Sequence, residues 1–401
     1  MITPYLLMVA LFLSLAFLGA LDAAFTSTGW LAWYNGLPWL RAHFITIGVL
    51  LEVAFGILPF LVPGRDGKAR SMRWDIWLAL NGGLVLLLIG IPLINPTLLI
   101  SGGTLIFVAA TLLLLQLGRG VRLNMARVKA RSGRNFYVAA LLYLLLGIFL
   151  GTGLWLGWGE ALGIVNPKEV HVHSNLWGFT SLLFAGVLVD LFPQISGRSL
   201  GWPRSTSAIF WTMNVGALGL VLGPWIQVNW LTAGGLIVHT AGTLLLLANV
   251  IRPLWGRRRA WTAGTWHLVS AYLWFLLPVV VAPLIVANVD TAAVQNVEQS
   301  GAPILVYGWI LQFGLALIPY LFDRALAGAR PARLGGNWLS LAAIHAGGIT
   351  YAFSLFLGIE TQLLQAVAFT LWAIAMLPIL RRLWRLLAQN LPEQSAIPTP
   401  L

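Results

Sequence analysis

Six histidines and one deeply placed glutamate are the residues best able to do chemistry in this 401-residue chain. The histidines are His43, His171, His173, His239, His267 and His345, and the glutamate is Glu52. Imidazole binds iron, copper or zinc through one ring nitrogen, and a partner on the other nitrogen fixes its tautomer. All six lie within apolar stretches or at their ends, where a polar ring is costly and is by default a functional candidate. His171 and His173 form an H-x-H pair. On a helix, positions i and i+2 point roughly 200° apart, so both rings cannot face one ligand unless the helix begins between them. The chain has no cysteine. That excludes disulfides, thiolate metal sites, iron–sulfur clusters and covalently attached c-type haem.

The elements that must position these residues are membrane helices. Hydrophobic residues make up 59% of the chain and charged ones only 9%, whereas soluble globular proteins carry roughly 25% charged residues. A span needs roughly 20 mostly apolar residues. The pattern predicts an all-α polytopic membrane protein with spans at 4–21, 42–62, 74–94, 98–117, 136–158, 172–192, 206–225, 230–251, 264–287, 302–322, 337–357 and 361–380. With the N-terminus inside, alternate loops and the C-terminal tail collect 22 of the 24 Lys and Arg residues, and the other side keeps only Arg41 and Lys168. This is the positive-inside pattern. It predicts cytoplasmic N- and C-termini, and it accounts for the net charge of +12 without invoking nucleic acid. No cleavable signal peptide is expected, because the run from Tyr5 to Ala20 has no basic residue before it. Residues 392–401, with Pro392, Pro398 and Pro400, are expected to be a disordered tail.

The chain also repeats itself. Span two aligns with span six on His43 and His173, which brings Gly48 to Gly178, Gly56 to Gly186 and Pro63 to Pro193, each pair 130 residues apart. A further 130 residues reaches span ten, with Pro303, Gly308, Ala316 and Asp323. The third copy keeps a glycine and lacks the histidine. The repeat predicts three pseudo-symmetric four-helix units in one transmembrane domain over 1–391, with spans two, six and ten lining the centre. In register terms the segments are about 1–65, 66–195 and 196–325, with 326–391 closing the ring.

The motif H-V-H-S-N-L-W-G-F-x6-A-G-x6-P at positions 171 to 193 resembles the haem–copper oxidase subunit I superfamily. It is also similar to the NnrS family of haem- and copper-binding membrane proteins of nitric oxide response. The resemblance implies twelve helices in three arcs, haem as cofactor with copper as a further candidate, and a prokaryotic cytoplasmic membrane. It implies electron transfer or nitric oxide response, with a redox partner or a small gas ligand. The chain departs from the oxidases in having no histidine in span ten or span seven, so a complete oxygen-reducing binuclear centre is not expected and no catalytic residue is assigned.

Repeat and resemblance together make His43 and His173 the expected haem ligands, with His171 as a third candidate. His239, His267 and His345 are candidates for a second metal site, a proton relay or packing. Glu52 is a candidate proton relay or a neutral acid bonded to a neighbouring helix. Two other readings fit the same features. Twelve spans with repeats and scattered intramembrane polar residues also describe secondary transporters, although those repeats are usually two sixes. A structural or assembly subunit that kept the fold and lost the cofactor is the third.

Overall fold

The computed structural model describes residues 3–28, 38–62, 70–118, 133–287, 289, 291–326, 332–357 and 361–390. The expected tail at 392–401 lies outside them, as do the basic residues of 63–69, 119–132 and 327–331. The protein is 87% helical, and the described residues include no strand. Among the described residues eleven helices are long and apolar enough to cross a bilayer. They are α1 (Pro4–Ser27), α2 (Trp39–Leu61), α4 (Pro96–Gly118), α5 (Arg134–Leu156), α6 (Pro167–Ser196), α7 (Pro203–Ile226), α8 (Asn229–Leu254), α9 (Ala263–Leu284), α10 (Ile304–Leu326), α11 (Trp338–Phe356) and α12 (Thr361–Asn390). The helix α3 (Trp74–Gly90) is apolar but only 17 residues long. Each falls on one of the expected spans. This is an integral α-helical membrane protein whose apolar outer faces contact lipid.

The helices sort into inner and outer sets. In α2, α6 and α10 the apolar stretch is 72–89% buried within the protein, whereas in the other long helices it is 39–56% buried. An outer helix has a lipid face: Leu7, Leu11 and Leu18 of α1 are exposed at helical spacing. Tryptophans stand exposed at helix starts, as Trp74, Trp230 and Trp338 do, where an amphipathic ring suits the lipid headgroup level. The closest neighbours are α3 with α4, α7 with α8 and α11 with α12, and α1 packs against α12, which closes the ring. At the end where α1 begins, Arg324 of α10 donates to Gln194 of α6 at 2.9 Å, and Arg382 of α12 is ion-paired with Asp323 of α10. This end carries most of the described arginines and is called the basic end below.

The three inner helices share a local irregularity. Each has a π-helical stretch near its start, Phe44–Val49 in α2, Ser174–Thr180 in α6 and Ile304–Leu311 in α10. Successive stretches start 130 residues apart. The residues immediately before them are His43, His173 and Pro303. π-Turns are rare and cluster at functional sites. The fifth residue of each stretch is a glycine, and a methyl group added to Gly48, Gly178 or Gly308 would come within 3.0 Å of the ring of Phe12, Tyr143 or Trp274 respectively. Each ring belongs to the helix one position earlier in the chain, α1, α5 or α9. The glycines are therefore required by an aromatic ring pressed onto the inner helix, the kind of close approach that only a missing Cβ permits. Between α6, α9 and α10 the mid-depth core is filled by rings: Phe184 stacks on Phe313 at 3.9 Å, and Trp309 lies 4.3 Å from Phe275.

Candidate functional site

His43, His171 and His173 lie at the end of the bundle opposite the basic end, at the start of α2 and α6. All three are half-buried, and all three hold Nδ1 against a backbone carbonyl. His43 Nδ1 is 2.7 Å from the Trp39 oxygen, His171 Nδ1 is 2.9 Å from the Gly147 oxygen, and His173 Nδ1 is 2.7 Å from the Leu220 oxygen. A carbonyl oxygen only accepts, so in each case Nδ1–H is the donor. The neutral ring then carries its lone pair on Nε2. None of the three Nε2 atoms has a hydrogen bond to any described residue. That tautomer, held by a backbone carbonyl, is the arrangement in which imidazole serves as a metal ligand.

The two members of the H-x-H pair diverge. His171 turns to α5 and lies so close to Gly151 that a Cβ there would meet its Cε1 at 2.7 Å. Asn175, one turn on, donates to the His171 carbonyl at 2.8 Å. His173 turns to α7 and packs edge-on against Trp177, with ring centroids 5.0 Å apart. The separation is the one that helical geometry demands of positions i and i+2. His43 stacks on Trp39 at 3.9 Å. It interacts electrostatically with His171. His171 is thus anchored to α5 and His173 to α7. Beside them, Arg41 pairs with Asp22 at 2.7 Å, and the Tyr307 hydroxyl of α10 donates to the Arg41 carbonyl at 3.1 Å.

The other three histidines are held differently. His239 of α8 is fully buried, with Nδ1–H donating to the Met213 carbonyl at 2.8 Å and Nε2 2.9 Å from the Ser181 hydroxyl. His345 of α11 has Nε2 2.8 Å from Ser270 Oγ and 3.2 Å from Gln312 Nε2. His267 of α9 has Nε2 2.9 Å from Ser340 Oγ. Its Nδ1 is buried and unpartnered, enclosed where Gly336 (φ 80°) presses on the ring. These rings are bonded into neighbouring helices, and His267 and His345, both between α9 and α11, interact electrostatically. Among the described residues no group of three or more His, Asp or Glu side chains is placed to hold a metal ion.

Sequence reasoning missed the serines. Ser181, Ser270 and Ser340 each meet a histidine from another helix, and Gln312 joins the His345 cluster. No pattern in the chain marks them, because each bond spans 33 to 75 residues. The Tyr143 hydroxyl donates to the Asn214 carbonyl at 3.1 Å, and Asp190 accepts from the Tyr137 hydroxyl at 3.0 Å, tying α6 to α5. No family model matches this chain, and no curated protein matches it in sequence.

Proposed function

We propose that this chain is a haem-binding integral membrane protein with the architecture of a haem–copper oxidase subunit I, acting in electron transfer or nitric oxide response. The observation that carries the reading is the shared state of His43 and His171: each has Nδ1–H committed to a carbonyl, and each has an Nε2 with no hydrogen bond to a described residue. Two helices from different parts of the chain thus offer one ring each, which is what a two-ligand haem needs of a protein. Haem, when bound, supplies one-electron chemistry and an iron able to take a diatomic gas. The chain supplies orientation: the Trp39 ring braces His43, and the Gly151 cradle fixes His171 against α5. The Arg41–Asp22 pair places a guanidinium near the same end, where it would counter an anionic group. His173, with its own open Nε2 beside Trp177, is a further ligand position facing α7.

Three features support the twelve-helix, three-unit arrangement. They are the 130-residue recurrence of the π-helical stretches, the burial of α2, α6 and α10, and the closing contact of α1 with α12. In this reading α3 crosses with the help of the turn that follows it, the basic end is cytoplasmic, and the membrane is a prokaryotic cytoplasmic membrane. Reporter fusions after Arg131 and after Lys168 should then report opposite sides. A redox partner or a gas ligand would approach the end that carries the histidines. The experiment for the function is the visible spectrum of the purified protein, with haem content assayed after extraction. A Soret band and about one haem per chain is the expected result, and a colourless, haem-free protein after expression with ample haem overturns the reading.

A further inference from the structure

Glu52 is fully buried in α2, and among the described residues only Asn81 comes near enough to hydrogen-bond its carboxyl, in a geometry too poor to satisfy either oxygen. Asn81 of α3 lies beside it, but the Asn81 side-chain amide donates to the Trp77 carbonyl at 3.0 Å. A carboxyl group in this position costs far more as an anion than as an acid. A group with only that burden would be expected to have been replaced by leucine, the residue found 130 positions on at Leu182. Two small cavities give it a use. One is bounded by Glu52, Val53 and Ile57 and reaches α10 at Ile318. The other is bounded by Met72, Arg73 and Gln116 at the basic end. The two share Tyr5 and Gly56 as lining residues. Each has room for about one water molecule, too little for bulk solvent and enough for a hydrogen-bonded relay.

We propose that Glu52 is a proton-exchange site reached from the basic end of the bundle through this passage, with the Tyr5 hydroxyl as the intermediate carrier. The proton comes from water at the mouth, passes by way of the Tyr5 hydroxyl, and binds the Glu52 carboxylate to give the neutral acid. Release returns it along the same route. Among the described residues the titratable groups facing Glu52 are few. Tyr5 of α1 interacts with it electrostatically. Arg73 and Asp75 are paired with each other at the mouth. The α10 wall of the inner cavity, Ile318, Leu321 and Phe322, carries no titratable group. The site is separate from the histidines and does not depend on haem.

Infrared difference spectroscopy of the purified full chain across a pH titration tests this. Native protein should show a protonated-carboxyl band that shifts in D2O, and Glu52→Gln should lack it. Gln312 stands 260 positions after Glu52 in an inner helix, so this isostere is expected to fold, which circular dichroism checks. Tyr5→Phe and Gly56→Leu should keep the band and slow its deuterium shift by roughly tenfold. A band that survives Glu52→Gln overturns the proposal. So does a Glu52 band that never exchanges in native protein, or native exchange rates in both passage variants. A protein without a Soret band that still shows this exchange breaks the haem reading alone.

Discussion

The histidines at one end of the bundle and those deeper within it differ at Nε2. Among the described residues His43, His171 and His173 have no hydrogen bond at Nε2, whereas His239, His267 and His345 each have Nε2 against a serine hydroxyl. The first set can bind something else; the second is already bound to the protein. Sequence position alone does not separate them, since all six are histidines in apolar surroundings. Hydrogen-bond partners do, because a ring with Nε2 engaged must lose that bond before it can hold a metal.

The comparison can be broken at the cradle. Gly151→Leu should act like loss of a ligand, because the added side chain enters the space of the His171 ring. The expected effect is near-complete loss of the Soret band with the helical content retained. A smaller loss is expected from Gly178→Ala, which drives a methyl into the Tyr143 ring and should cost about 1–3 kcal/mol of stability, measured by thermal denaturation in detergent. His239→Ala removes two interhelical bonds and leaves a cavity, so a comparable loss of about 1–3 kcal/mol is expected, with the visible spectrum unchanged. Ser340→Ala gives the smallest effect. One interhelical bond within a membrane protein averages about 0.6 kcal/mol, and His267 is enclosed by Gly336 in any case. If His239→Ala removed the absorption band while Gly151→Leu kept it, the two sets would have to change places.

Much of this was legible in the chain. Hydropathy located the eleven long apolar helices found among the described residues, because the bilayer imposes length and composition on each span. The alignment of His43 with His173 located two of the three π-helical stretches, and Gly308 marked the third. The glycine was informative because its cause is steric: an aromatic ring from the preceding helix needs the missing Cβ. Which way a ring turns was not legible. His171 and His173 differ only in which neighbour offers a carbonyl, Gly147 on α5 or Leu220 on α7, and that depends on how helices from distant parts of the chain are juxtaposed. The Ser181–His239 and Ser340–His267 bonds were hidden for the same reason. Glu52 stood out early as the carboxylate well inside a span, but its unsatisfied oxygens and the cavities beside it required coordinates.

The claim that open Nε2 atoms mark the ligands is tested most directly by visible spectra of four proteins purified alike: the native chain, His43→Ala, His171→Ala and His239→Ala. Native protein and His239→Ala should share one Soret band, while His43→Ala and His171→Ala should each lose it or shift it strongly. Unchanged spectra in both His43→Ala and His171→Ala would contradict the account.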